Sequence, residues 1–466
     1  MGRVRLALRD GSWLTCERIR LVAAAVLIAS AAGFAFLVAT AHGGIDRQGR
    51  PLGTDFSNVY AAGTYVLEAN PDAPFDPPTQ YAREQQIFGK TTPFYGWHYP
   101  PYFLFVAGAL ARLPYGTALA VWQGGTLLLY LLMVWGIASS SPRAGREGLD
   151  EGASSPAAAL RRGPLTVLRS AQSTSSRPAG RRGDWLLLAL AYPAVLINIG
   201  HGQNGFLTAA LLGGSLLILD RRPIIAGILI GLLVYKPQFG LMIPLALVAG
   251  GYWRTFAAAA ATIAALTLVT TLAFGPDIWH AFMLSTKFSR TVVLEEGQTG
   301  WQKIQSVFSW ARMWGAPVSL AYVLQGVLTA ALAAAIVRLW RTAVSSATKR
   351  AALCLAAILA TPYSLDYDMM VLAPAIAFLG ADGVRRGFAP WEKSILAALW
   401  LVPLIARSVA EATLIPLGVP AMLATFLLLL WRARPEGMPR AAFNSGRSTL
   451  AESAGVRGHD IAAFDS

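Results

Sequence analysis

Residues 99–114 read "YPPYFLFVAGALARLP", and the topology of the whole chain turns on whether this apolar stretch crosses a membrane. A crossing helix needs roughly 20 apolar residues to span a hydrocarbon core about 30 Å thick. This stretch is shorter, is bounded by prolines and contains Arg112, so it reads as a re-entrant or interfacial helix. Charge tests that choice. If the stretch does not cross, 28 of the 39 Lys and Arg residues fall on one side, including the eight arginines of 139–184. Counting it as a crossing moves that eight-Arg loop to the opposite face, against the excess of Lys and Arg that marks cytoplasmic loops. Both termini, 1–20 and 434–466, are therefore expected in the cytoplasm, and the segments 42–116 and 275–316 on the outer side.

The composition requires a membrane. The chain is 55% hydrophobic and 14% charged, with a mean hydropathy of +0.48, whereas a soluble domain carries about 25% charged residues. The first apolar run, 21–41, is too long for the core of a signal peptide and reads as a retained span. Further runs centre on 117–138, 185–199, 204–219, 223–235, 237–250, 254–274, 317–339, 350–362, 366–382, 393–409 and 414–432, which predicts an all-α polytopic protein of about twelve transmembrane helices within 21–433. Runs 223–235 and 350–362 are short, so polar neighbours must extend those helices or the helices must stop partway.

Several classes are disfavoured. The net charge of +14 comes from arginines in short loops, not from aromatic-interleaved patches, so no nucleic-acid partner is expected. Cys16 and Cys354 lie far apart in apolar surroundings and support neither a disulfide framework nor a metal site. There is no G-x-S-x-G elbow, no H-E-x-x-H and no G-x-x-x-x-G-K-[ST] loop. The segment 139–184, rich in Ser, Pro, Ala, Gly and Arg, reads as a disordered cytoplasmic linker, and the tail 434–466 with His459 reads the same way.

The polar clusters are independent of that charge count, yet nearly all of them fall outside. They are "TDFSNVY" (54–60), "YGWHYPP" (95–101), "GHGQNG" (200–205), "YKPQ" (235–238), "GQTGWQKIQSVFSWAR" (297–312) and "TPYSLDYD" (361–368). Residues distant in sequence are thus expected to share one outward-facing cavity. After Asp55, the apolar residues Phe56, Val59, Tyr60, Gly63, Val66 and Leu67 recur at helical spacing, which predicts an amphipathic helix lying along the outer interface. Asp55 itself reads either as the N-cap of that helix, worth about 1 kcal/mol, or as a functional carboxylate. Lys236 reads either as a snorkelling surface lysine or as a cation for a lipid-borne phosphate. His201, Gln203 and Asn204 form a Gly-flanked turn whose donors and acceptors also suit sugar hydroxyls. Asp366 and Asp368 form an Asp-x-Asp unit, but no phosphate-cradling glycine loop accompanies it, and no metal is assigned.

In order and spacing, these features resemble glycosyltransferase family 87, the polyprenyl-phosphate-mannose-dependent mannosyltransferases of the membrane-embedded GT-C superfamily. The resemblance runs from about Asp55 to Trp431. It rests on Asp55 with Tyr60, Ala61 and Ala62, "FDP" (75–77), "YPP" (99–101) leading to "LARLP" (110–114), "GQNG" (202–205), "KPQ" (236–238) and "TPYSLDYD" (361–368). It implies a GT-C fold with interfacial helices in the first outer loop and transfer of a hexose, mannose by default. The donor would be a polyprenyl-phosphate-linked sugar, the acceptor a lipid or glycan, and the reaction would invert the anomeric centre on the periplasmic side of the inner membrane. Asp55 matches the general base. Lys236, Arg312 and His98 are expected to neutralise the donor phosphate, while Asn58, Tyr60, Tyr99, His201, Gln203, Asn204, Gln238, Tyr363, Asp366, Tyr367 and Asp368 are expected to bind sugar or acceptor. No cofactor is implied beyond the donor. Where several family members carry a His pair, this sequence has Tyr367 and Asp368. Two rival readings stand beside this one: a transporter or flippase of a lipid-linked solute, and a glycan polymerase or ligase using Arg290 and Arg312.

Overall fold

The computed structural model describes residues 2–140 and 182–434; the expected linker and tail lie almost entirely outside these residues, and His459 lies wholly outside them. Among the described residues the chain is helical and has no strand, only isolated bridges. The helices are α1 (Gly2–Asp10), α2 (Cys16–Ala39), α3 (Phe56–Leu67), α4 (Pro77–Phe88), α5 (Leu104–Leu110), α6 (Tyr115–Ser139), α7 (Arg182–Leu190), α8 (Pro193–His201), α9 (Gly205–Ile218) and α10 (Pro223–Leu232). They continue with α11 (Met242–Ala249), α12 (Trp253–Phe274), α13 (Asp277–Phe288), α14 (Val307–Met313), α15 (Val318–Arg341), α16 (Ser346–Leu359), α17 (Leu372–Arg386), α18 (Glu392–Thr413) and α19 (Gly418–Arg432).

Among the described residues, six helical stretches are long and apolar enough to cross a membrane: α2, α6, α12, α15, the stretch Asp366–Arg386 and α18. Taken as one span, α7 and α8 make a seventh, bent by 50° where Pro193 cannot continue the hydrogen-bond ladder. Each of the other apolar runs also forms a helix, but a shorter one. Pro223–Tyr235 and Pro237–Ala249 are two such helices that meet at Lys236; they stop partway. The decisive stretch forms a helix only over Pro101–Leu110, about 15 Å at 1.5 Å per residue, half the thickness of a bilayer core.

Small residues set the packing. Gly227 and Gly231 of α10 sit against the backbone of α12, where an added Cβ would come within 2.5 Å of Thr255 O and 2.9 Å of Ala259 O, the close approach that small residues allow between membrane helices. Centrally, α16 has every residue from Ala351 to Leu359 buried. A helix apolar on all sides belongs in the interior, and α16 delivers the chain to the polar segment 361–368.

The α3 helix departs from the sequence expectation. It does not lie on the surface: eight of its twelve residues are buried, including Ser57 and Asn58. The reason is the run Ala61, Ala62, Gly63, which lets α5 press so close that a Cβ on Gly63 would lie 2.1 Å from Ala107 O.

Candidate active site

All six polar clusters converge on one cavity of about 530 Å³. Thr54, Asp55 and Asn58 come from the start of α3; Tyr95, His98 and Tyr99 from the loop before α5; His201 and Gln203 from the α8–α9 turn. Tyr235, Lys236 and Gln238 come from the junction before α11, Gln298, Thr299 and Lys303 from the loop before α14, and Tyr363, Asp366, Tyr367 and Asp368 from the segment after α16. That loop and that segment are tied together by a bridge between Ile304 and Leu365 and by Gln305 N donating to Ser364 O at 2.7 Å.

Asp55 precedes α3 but does not cap it with its side chain. The first turn is closed from behind instead, with Phe56 N donating to Gly53 O at 2.6 Å and Ser57 N to Thr54 O at 3.2 Å. Gly53 makes that turn at φ +65°, a region glycine enters without strain. The carboxylate is left for the cavity. Its Oδ2 accepts a 2.6 Å hydrogen bond from Gln203 Nε2, and His201 Nδ1 lies 4.0 Å from Oδ1. Tyr99 OH donates to Gln203 Oε1 at 3.2 Å, which fixes the amide with its NH₂ toward Asp55. His201 Nδ1 is also 2.8 Å from Thr54 Oγ1.

Charge in the cavity is partly paired. Lys236, 4% exposed, donates to Asp368 Oδ1 at 2.5 Å and lies 5.1 Å from the Tyr367 ring centroid. It is buried rather than snorkelling, and its charge is already met by a carboxylate. Arg407 Nε donates to Asp366 Oδ2 at 2.8 Å. The Asp-x-Asp unit thus turns its two carboxylates to two different cations. Lys303 and Arg50 line the same cavity, and neither has an ion-pair partner among the described residues. They are the cations left for an incoming anion.

Three expected site residues lie off the cavity wall. Arg312 bonds to the carbonyls of Ala316 at 2.6 Å and Glu295 at 3.1 Å and stacks 4.7 Å over Trp301; it holds its loop together. Tyr60 donates to Leu113 O at 3.0 Å, pinning α3 to the end of the decisive stretch. Asn204 is buried at the start of α9. His98 does line the cavity, with Nδ1 2.8 Å from Ser289 Oγ, but burial pushes its pKa down to about 4 against the opposing charge of Asp55, so at neutral pH it offers a hydrogen bond and no charge.

Sequence reasoning missed Arg407, Lys303 and Arg50. For Arg407 a signal existed: a lone ionisable residue inside an apolar span marks a functional or paired site. It also missed Glu84 of α4, fully buried, which accepts from Tyr95 N at 3.0 Å and Gly96 N at 3.1 Å. Gln80 Nε2 bonds to both Glu84 and the Asn58 carbonyl. This chain of contacts ties α3, which follows Asp55, to the loop carrying His98.

Fold and cavity together define a polytopic helical membrane protein with a polar, charged chamber among its helices. Residues 97–362, more than half of the chain, match glycosyltransferase family 87. The chain belongs to that family and is a membrane glycosyltransferase. No curated protein and no solved structure matches it. The family match begins after Asp55 and ends before Asp366.

Proposed function

We propose that the protein transfers a hexose, mannose in the simplest case, from a polyprenyl-phosphate donor to a lipid or glycan acceptor, with inversion, in the cavity around Asp55. The observation that carries this reading is the carboxylate of Asp55, released from capping, oriented by Gln203, and facing a cavity that also holds Lys303, which has no ion-pair partner among the described residues. Asp55 takes the proton of the acceptor hydroxyl, and the acceptor oxygen bonds to the anomeric carbon. The bond from that carbon to the phosphate oxygen breaks, and its electron pair leaves on the polyprenyl phosphate. A phosphate departs without a strong acid, so one base suffices, while Lys303, with the Lys236–Asp368 and Arg407–Asp366 pairs beside it, stabilises the charge that develops on the leaving oxygen. Asn58 Oδ1, buried on the cavity wall with no hydrogen-bond partner among the described residues, is placed to accept a sugar hydroxyl. Tyr99, Gln238, Tyr363 and Tyr367 supply further polar wall.

In this reading the GT-C arrangement has about twelve crossings, the shorter apolar helices completing the set. The cavity opens to the periplasmic face of the inner membrane, and both termini are cytoplasmic. The distribution of Lys and Arg between loops supports that orientation. Purified protein in lipid nanodiscs, given radiolabelled polyprenyl-phosphate sugars and a membrane lipid extract, tests the reaction. Label is expected in a new lipid or glycan product with one donor sugar preferred. Intact donor crossing proteoliposomes with no product from any sugar would establish a flippase instead.

A further inference from the structure

A second cavity, of about 450 Å³, adjoins the first and shares Arg50, Thr54 and His201 with it. Its other wall is the end of α2, through Phe36, Leu37 and Thr40, together with Pro51 and Leu52. Of the 24 residues of α2 only Ala23 is buried, so the helix presents its sides to lipid, and a cavity at its end lies at the depth of the lipid headgroups. One half of the lining is thus apolar and continuous with a lipid-facing helix, and the other half is the polar segment 46–50.

That polar half carries a net positive charge. Asp46 Oδ1 accepts from Gln48 N at 2.8 Å and Arg50 N at 2.9 Å, which closes the turn that carries both arginines. Arg47 stands 5.4 Å over the Phe36 ring, where guanidinium and aromatic face mark the boundary between water and hydrocarbon. Arg50 has no carboxylate partner among the described residues. Two guanidiniums above an apolar wall match a phosphate above acyl chains.

We propose that this second cavity binds an anionic membrane phospholipid, its phosphate on Arg47 and Arg50 and its chains along the Phe36 and Leu37 end of α2. Gly53, Thr54 and His201 line this cavity, and His201 Nδ1 also lies 4.0 Å from the Asp55 carboxylate of the first one. Gly53 is confined there: a Cβ on it would strike Leu119 at 2.7 Å. Because Arg50 faces both cavities, a bound anionic lipid draws it away from the donor phosphate and so ties turnover to bilayer charge. This last consequence rests on the proposed transferase reading; the binding itself does not.

The test is native mass spectrometry of the full chain in detergent with dioleoyl phosphatidylglycerol or dioleoyl phosphatidylcholine added. Wild type is expected to retain the anionic lipid about tenfold more strongly. The double variant Arg47→Gln, Arg50→Gln should lose that preference, and Leu37→Trp, which fills the apolar half, should lower retention while leaving the arginines in place. Asp55→Asn should retain lipid as wild type does, so a failure of the transferase reading leaves this result standing. Equal retention of the two lipids by wild type, or undiminished preference in the double variant, overturns the proposal. Displacement by inorganic phosphate alone overturns it too, by revealing a free-anion site.

Discussion

Gln203 Nε2 donates a 2.6 Å hydrogen bond to Asp55 Oδ2 across 148 residues of sequence. With its other end held by Tyr99 OH at 3.2 Å, Gln203 aims the carboxylate. Gln203→Leu is expected to lower the transfer rate about 10- to 100-fold, the scale of a misaligned catalytic group, with KM changed much less. Initial rates over a range of donor concentrations check this, and an unchanged rate constant would remove Gln203 from the machinery.

The buried pair of Lys236 and Asp368 makes a prediction about stability. Removing one partner of a buried ion pair leaves an uncompensated charge, at a cost of about 3–5 kcal/mol, whereas an apolar replacement of both is close to neutral. Lys236→Ala should therefore unfold at a clearly lower temperature in detergent, and Lys236→Met with Asp368→Leu should regain most of the loss. A double variant no better than the single one would mean that the pair serves more than packing.

Glu84 gives a pH dependence with a definite sign. Burial pushes its carboxyl up to about 7 from 4.5, against the hydrogen bonds from Tyr95 N, Gln80 and Gly96 N. Below pH 4.5 folded and unfolded chains both hold the proton, and the contribution is fully present. Between pH 4.5 and 7 only the folded chain holds it, so stability falls as pH rises, by on the order of 3 kcal/mol across the window. Glu84→Gln should flatten that part of the profile, as read from melting temperatures between pH 4.5 and 8. An identical slope in the variant would assign it to other groups.

The close approach of α3 and α5 predicts that Gly63→Ala is destabilising by about 1–3 kcal/mol, the usual cost of overpacking, because the new methyl meets the Ala107 carbonyl rather than a side chain that could turn away. Loss of monodisperse protein on size exclusion, without any change at Asp55, would register it.

These residues also show where sequence was informative. Apolar runs and Lys/Arg counts are local properties, so the helices and the shortness of Pro101–Leu110 were readable directly. The convergence of six polar clusters followed from placing them on one side of the membrane, which needs topology but no contacts. Pairing was not readable. That Asp368 meets Lys236 and Asp366 meets Arg407 depends on how the segment after α16 packs against α18 and against the junction between α10 and α11, and a lone Lys between two apolar runs looks the same in sequence whether it snorkels or is buried. Asp55 before an amphipathic run had the pattern of a helix cap; only the backbone bonds from Phe56 and Ser57 to Gly53 and Thr54 show that the cap is made without its side chain.

In the proposed reaction Asp55 accepts the acceptor's proton. Asp55→Asn, which keeps the size and one hydrogen-bond acceptor but removes the basic carboxylate, should abolish label transfer from polyprenyl-phosphate sugar while the protein is made, folds and binds the donor as wild type does. Transfer at the wild-type rate in that variant would show that Asp55 is not the base.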